Sequence, residues 1–268
     1  ETSAGHTAPQ TPQRYEATNT DAALRSPVWW PGGDSNTSTT SGADTSSYWF
    51  GSDPLGRSVL IRCLAGGGIS ILIGLAAAII AVVIGTMYGT IAALAGGRVD
   101  AIMMRAVDVL YGLPYILLVV LLAVAVDGIV TRAVAIITPD QRQLINVVTL
   151  LVAIGGVSWL TMARVIRGQV LSLKNQPFME ACEAVGVPRY RRVFVHLLPN
   201  LIGPIIVYAA LTVPEAILSE SFLSFLGIGV KEPLPSWGNL AADGLNEINV
   251  VRSRWWLLLW PCLFIALT

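Results

Sequence analysis

Charge is scarce in this chain. Only 13% of its 268 residues are Asp, Glu, Lys or Arg, whereas 54% are hydrophobic, and the formal net charge is zero. So few charges do not provide the solvated surface that a soluble globular domain needs. Without a basic excess, overall charge does not draw the chain to nucleic acid, and no nucleic-acid partner is expected. The composition therefore predicts an integral membrane protein in contact with lipid.

The sequence also lacks the patterns that hold nucleotides and metals. It contains no G-x-x-x-x-G-K-[ST] segment, so it has no P-loop, and any ATP chemistry is expected in another chain. Cys63, Cys182 and Cys262 are far apart and form no C-x-x-C pair, so we predict packing residues rather than metal ligands. We expect no catalytic residue, no metal site and no cofactor.

Long hydrophobic runs predict membrane-spanning helices, each of which needs about 20 apolar residues. The fourth run is interrupted by Pro199, Pro204 and Pro214, which predicts one span followed by a partly buried or re-entrant continuation. The five predicted spans are residues 69–94, 109–126, 144–163, 193–226 and a segment that begins at Trp255.

The basic residues predict the orientation of these spans. Alternating spans place loops 98–105 and 164–192 on one side, and that side carries more Lys and Arg, so we expect it to be cytoplasmic. The polar tail, residues 1–47, is then extracytoplasmic. Its composition favours a mobile hydrophilic segment, although the cluster Val28, Trp29 and Trp30 leaves an anchored segment open.

A charged insert separates two of the hydrophobic runs at residues 175–200. Pro177 suits the first turn of a helix, and Gly186 followed by Pro188 ends one, so we predict a short helix within residues 175–192. The apolar face of this helix is formed, at i, i+3, i+4 and i+7, by Phe178, Ala181, Cys182 and Val185.

Another face of the insert helix carries Glu180 and Glu183. Anionic lipid repels an acidic face, so we expect the helix to dock into a groove of a protein rather than on the bilayer.

Three carboxylates lie in or beside the predicted spans, and such residues are functional candidates. Asp108 is expected to pair with Arg105 or to cap a helix. Glu215 and Glu220 have two open interpretations, which are hydrogen bonding within the interrupted helix and lining a pathway that meets peptide amino termini.

The insert resembles the EAA loop of ABC importer permeases, in which E-A-A is followed by G and later by H-x-L-P-N. Cys182 stands at the second alanine of the motif and is also small. Segments 50–62 (FGSDPLGRSVLIR), 223–230 (LSFLGIGV) and 235–239 (PSWGN) are similar to signatures of the C-type permeases of dipeptide and oligopeptide importers. The matching positions of the EAA loop are Glu180, Ala181, Gly186, His196, Leu198, Pro199 and Asn200.

This resemblance covers residues 48–268 and implies an all-α, polytopic membrane protein with the ABC importer permease fold, in the bacterial inner membrane. Six helices are usual in that family, so about five of six spans are expected here, without the first helix and part of the last. The implied function is that of a permease subunit of an ATP-driven importer, which forms half of a translocation pathway. The alternative is a proton-coupled secondary transporter that uses Glu215 and Glu220.

The resemblance also implies partners and sites. The partners are a second homologous permease, two ATP-binding subunits, an extracytoplasmic solute-binding protein and a peptide substrate, although nickel importers share this architecture. The residues expected to couple to the ATPase are Glu180, Ala181, Cys182, Ala184, Gly186 and Arg189, and those expected along a pathway are Glu215 and Glu220.

Overall fold

The computed structural model describes residues 15–30, 48–133, 138–248 and 253–268, which form helices and no β-strand. Four helical segments in this part of the chain are long and apolar enough to cross a membrane, and a shorter apolar helix follows them, which confirms the predicted polytopic α-helical class. The main helices are α1 (Val59–Ala95), α2 (Gly97–Tyr111), α3 (Tyr115–Ala133), α4 (Pro139–Lys174), α5 (Pro177–Ala184), α6 (Arg189–Arg191), α7 (Leu198–Phe225), α8 (Trp237–Asn246) and α9 (Trp256–Leu267).

The second predicted span is divided into two helices. Its first part belongs to α2, which also includes the predicted loop 98–105, and α3 begins only at Tyr115. Gly112 ends α2 with a backbone hydrogen bond to Asp108, and Pro114 directly precedes α3. Because proline lacks an N–H, it interrupts the helical ladder at this point and is tolerated beside a new helix start. The span predicted from residue 109 is therefore wrong in its first six residues.

The interrupted fourth run forms one continuous helix, so the re-entrant alternative is wrong, whereas the partly buried continuation is confirmed, since Ala216, Ile217 and Glu220 are buried. α7 extends through Pro204 and Pro214, and a π-helical turn, Arg192–Leu197, joins it to α6. Proline removes single backbone hydrogen bonds, but unravelling the helix in hydrocarbon would expose many more polar groups. The helix therefore tolerates both prolines.

Glycines allow α1 to lie directly against its neighbours. A Cβ atom added at Gly89 would lie 2.4 Å from the carbonyl oxygen of Ala163 on α4, and one at Gly74 would lie 2.6 Å from Ile217 on α7. Close backbone approach of this kind is a main source of helix association in membranes, where burial of apolar surface contributes little to the free energy of association. These contacts position α4 and α7, the two helices that flank the insert.

The tail is anchored at residues 15–30. The N–H of Leu24 donates to the carbonyl of Asp53 at 3.0 Å, and the N–H of Ser52 donates to the carbonyl of Arg25 at 3.0 Å. The ring centroids of Trp30 and Trp255 are 5.1 Å apart. The expectation of a mobile segment is therefore wrong for this stretch, and the anchored alternative applies. The rest of the tail lies outside the described residues.

A buried arginine fixes the same end of the bundle. The side chain of Arg62 is 2% exposed and donates to Asp53 at 2.8 Å and to Glu232 at 3.2 Å. A buried charge needs such partners, because unpaired it would lose its solvation without compensation. The pairs join the segment before α1 to the loop between α7 and α8.

The cysteines have different surroundings. Cys63 is buried in a cluster with Val59 and Leu240, as expected for a packing residue, whereas Cys262 is exposed on α9, so that expectation is wrong there. In the described part of the chain, no group of three or more His, Cys, Asp or Glu side chains could hold a metal ion.

The close approach at Gly89 generates a stability prediction. Gly89→Ala forces α1 away from the α4 backbone, and overpacking of this kind typically costs about 1–3 kcal/mol. Gly68→Ala is the matched control, because a Cβ atom there meets nothing within 4 Å. We expect Gly89→Ala to lower the melting temperature of the detergent-solubilised protein and Gly68→Ala to leave it unchanged or raise it. Equal melting temperatures would contradict the packing account.

Candidate functional site

The insert forms the short helix that the sequence predicts. α5 begins at Pro177, whose missing N–H is not needed in the first turn. At its end, the N–H of Val187 donates to the carbonyl of Cys182 at 2.9 Å, and the N–H of Gly186 donates to the carbonyl of Glu183 at 3.0 Å. This pair of bonds is a Schellman motif, and Gly186 supplies its left-handed residue with φ of 79°.

Met179 fixes α5 to the rest of the protein. Its side chain is 7% exposed and packs in a cluster with Ile166 and Val170 of α4, Leu197 of the π-helical turn and Leu201 of α7. Sequence reasoning missed this residue, because the predicted apolar face was chosen from the positions of the small residues. Met179 and Cys182 are spaced i, i+3, and this spacing was the available signal.

The outer face of α5 is left uncovered. Phe178 is 38% exposed and Val185 is 83% exposed, and Ala181 is exposed between them. Cys182 is only half exposed, since it lies nearer to Met179. The predicted apolar face is therefore displayed outward rather than packed on the bundle, with Cys182 at its edge.

The charged residues of the insert form two groups, one that makes an ion pair within the chain and one that lies on the exposed surface. Glu183 pairs with Arg192 at 3.0 Å, which braces α5 against the start of the following helical run. Glu180 and Ala184 are also exposed on α5, and Arg189 is exposed at the start of α6. Of the six residues predicted to couple to an ATPase, five are exposed and Cys182 is half exposed.

Two ion pairs join α2 to α4 near the insert. Arg167 donates to both carboxylate oxygens of Asp100 at 2.5 and 2.6 Å, and these hydrogen bonds hold the pKa of Asp100 below its usual value. Arg164 donates to Asp108 at 2.8 Å. The expected pairing of Asp108 with Arg105 is therefore wrong.

The position of Tyr111 explains why Asp108 pairs with Arg164 rather than with Arg105. The guanidinium carbon of Arg164 lies 3.9 Å from the centre of the Tyr111 ring, so Arg164 is held against α2 by the ring as well as by Asp108. Arg105 lies on the same helix as Asp108 and has no such additional contact among the described residues.

Glu220 lies inside the fold. Its side chain is 0% exposed and accepts hydrogen bonds from Ser70 of α1 at 2.8 Å and from Ser224 at 2.7 Å. The hydroxyl of Ser70 also accepts a hydrogen bond from the backbone N–H of Trp237 at the start of α8. Glu220 thereby links α1, α7 and α8, in agreement with the hydrogen-bonding interpretation.

Glu215 has a different environment. It is exposed and lines a cavity of about 220 Å³. The cavity lies where α2 ends and α3 begins, against α4 and α7. Its other polar lining residues are Tyr111, Tyr115 and Thr161, and the remaining lining is aliphatic. Of the two carboxylates predicted along a pathway, only Glu215 borders an open space in the described residues.

Comparisons with known proteins agree with this architecture. Residues 81–268 match the family described as "Binding-protein-dependent transport system inner membrane component". The chain is 42% identical over 221 residues to the oligopeptide transport system permease protein OppC of Haemophilus influenzae. The aligned region covers 82% of this chain and 65% of that protein. It is 44% identical over 224 residues to the dipeptide transport system permease protein DppC of Bacillus subtilis. This aligned region covers 84% of this chain and 64% of that protein.

A third relative is similar to the same extent. The oligopeptide transport system permease protein OppC of Escherichia coli is 44% identical over 223 residues, with 83% of this chain and 67% of that protein covered. The chain spans slightly less than two thirds of the length of the first two relatives. With four candidate spans and a family match over most of its length, the chain is a multi-pass membrane protein and belongs to the family of binding-protein-dependent transport system inner membrane components.

Proposed function

We propose that this chain acts as a permease subunit of an ATP-driven importer for dipeptides or oligopeptides. The printed names of the relatives support the substrate class, since they are oligopeptide and dipeptide transport system permease proteins. These names favour peptides over nickel as the transported solute. The family description supports dependence on a solute-binding protein.

The proposed importer contains a second permease, two ATP-binding subunits and an extracytoplasmic solute-binding protein. The chain has no P-loop, so ATP is hydrolysed in the separate subunits. The two permeases each form half of the translocation pathway.

The single observation that carries the proposal is the outward apolar face of α5 on a helix anchored from behind. Phe178, Ala181 and Val185 present a small apolar surface that suits a groove in a partner, and Glu180 is exposed on another face of the same helix. Met179 joins the same helix to α4 and α7. A displacement of α5 by the ATPase subunits is therefore passed directly to two membrane-spanning helices, which change access to the pathway.

The proposed orientation follows from the basic residues. Arg189, Arg191 and Arg192 lie in the loop that also contains α5, and the positive-inside tendency assigns this loop to the cytoplasm. The anchored tail and the Arg62 ion pairs then lie at the extracytoplasmic end, where a solute-binding protein docks.

Glu215 is the carboxylate that we place on the pathway. It borders the cavity between α3, α4 and α7, and a charge exposed on a membrane-spanning helix is costly against lipid. We assign Glu220 a structural role, because its carboxylate is buried and hydrogen-bonded to Ser70 and Ser224.

Reconstitution tests the proposal. The chain is co-expressed with candidate ATP-binding subunits and a second permease, and uptake of labelled peptide into proteoliposomes is measured with the binding protein present. We expect co-purification and uptake that depends on ATP. We also expect the ATP-binding subunits to bind inside-out vesicles and not right-side-out vesicles, which checks the orientation.

The proton-coupled alternative gives the opposite result in the same experiment. Uptake would continue without the ATP-binding subunits and would stop when the proton gradient is collapsed. That outcome would reject the importer.

Two substitutions in the insert test the coupling role. Glu180→Arg reverses an exposed charge on α5, and Gly186→Pro removes the left-handed residue that ends α5, because proline fixes φ near −65°. Each is expected to lower peptide uptake at least about fivefold, the loss expected for a residue worth 1 kcal/mol or more at an interface.

Membrane insertion is expected to be unchanged in both variants, as measured by extraction and by the monodisperse peak in detergent. Gln169→Arg, which adds a positive charge at an exposed position of α4 outside the insert, is the control and should retain uptake. Normal uptake by both insert variants would remove α5 from the mechanism.

A further inference from the structure

The cavity beside Glu215 has one uncompensated charge. Its aliphatic lining provides no counter-ion, and no hydrogen bond or ion pair to the Glu215 carboxylate is found among the described residues. The neighbouring cation is already committed, since Arg164, which lies over the Tyr111 ring, pairs with Asp108. The net charge that the cavity presents is therefore negative.

The cavity also lies deep between the ends of the bundle. About 20 Å of helix separates Thr161 from the end of α4, and about 15 Å separates Glu215 from the opposite end of α7. The cavity therefore lies along the sides of α4 and α7, which are both long and apolar enough to cross a membrane. A carboxylate exposed on a membrane-spanning helix is stabilised by water or by a cation rather than by lipid.

The aromatic rings complete the environment of the carboxylate. The hydroxyl of Tyr115 is 3.2 Å from the hydroxyl of Ser158 and accepts from Ser219 at 3.4 Å, so this ring is held in place at the cavity wall. Tyrosine rings attract cations through their faces, and a carboxylate accepts charge-assisted hydrogen bonds from ammonium groups. Both features favour a compact cation with N–H donors over an anion.

We propose that Glu215, with Tyr115, forms a subsite for a primary ammonium group of the transported solute, either the α-amino group of a peptide or the side chain of a lysine. This inference rests on the proposed peptide importer, since it identifies the part of the peptide that the pathway contacts. The aliphatic lining then accommodates the neighbouring apolar part of the solute. The interaction is transient, because a single charge-assisted contact holds the solute without trapping it.

Protection of a cysteine in the cavity tests the subsite. Thr161 is exposed and lines the cavity, so Thr161→Cys supplies a target for a maleimide, and mass spectrometry reads the label at that position. The complete detergent-solubilised importer is labelled with increasing amounts of tri-alanine or N-acetyl-tri-alanine. The measurement is repeated in combination with Glu215→Gln, Glu215→Asp and the control Asp127→Asn, which changes a carboxylate at the far end of α3.

We expect tri-alanine to slow labelling at concentrations about tenfold lower than the acetylated peptide, the effect of one charge-assisted hydrogen bond. Glu215→Gln should remove this difference, whereas Glu215→Asp and Asp127→Asn should keep it. An N-acetylated peptide with a central lysine distinguishes the two sources, since protection that depends on Glu215 assigns the subsite to the lysine side chain as well.

Three results would overturn the subsite: no protection by tri-alanine, equal protection by the free and acetylated peptides, or an unchanged difference in Glu215→Gln. The first is expected if a cation of the second permease occupies Glu215. ATP-dependent uptake is measured separately, after the same preparation has been reconstituted into proteoliposomes. Loss of uptake with protection retained would reject the proposed function, whereas uptake without selective protection would reject only the subsite.

Discussion

The packing of Met179 between α4 and α7 is the contact on which the proposed coupling depends. α5 has only eight residues, and a helix of that length has little stability of its own in water. The buried Met179 side chain and the Glu183–Arg192 pair hold it against the bundle, and the Schellman motif at Gly186 ends it sharply. Because the anchor lies on one face, the other face is free to contact a partner.

The membrane imposes a second constraint, which explains why the two glutamates of α7 differ. Glu220 is surrounded by serine hydroxyls and by the start of α8, so its carboxylate is satisfied inside the protein. Glu215 lies less than two turns earlier on the helix, yet it borders an open cavity. A carboxylate without a partner on a membrane-spanning helix is expensive, and a contact outside this chain is the role that we propose for it.

Close helix approach connects these two sites. Gly74 and Gly89 allow α1 to lie against α7 and α4, and Ser70 on the same helix reaches Glu220. α4 then continues towards α5, and α7 begins after it. Two of the helices that line the cavity, α4 and α7, also hold the insert, so the proposed mechanism predicts that movement of α5 changes access to Glu215.

Much of the fold was predictable from local rules. The hydrophobic runs predicted the spans, and Pro177 and Gly186 predicted both ends of α5, because these residues act through the backbone alone. Contacts between distant elements were not predictable in this way. Asp108 paired with Arg164 of another helix, and Trp29 and Trp30 packed on Trp255, which turned an expected mobile segment into an anchored one.

The insert shows the same limit within a single helix. Its periodicity identified an apolar face, but periodicity alone does not tell which face meets the bundle and which meets a partner. Met179 lies outside the predicted face and is the residue that is buried, whereas Val185 lies on that face and is exposed. The positions of α4 and α7 in the folded protein determine which face of α5 is buried.

Site-specific cross-linking tests the central claim most directly. A cysteine at Val185, on the uncovered face of α5, is paired with cysteines along the groove of the ATP-binding subunit, and cross-links are measured in the assembled importer. The account predicts efficient cross-links from position 185 and none from a cysteine at the buried Met179. Cross-links from neither position, in an importer that still transports with ATP, would contradict the coupling role of α5.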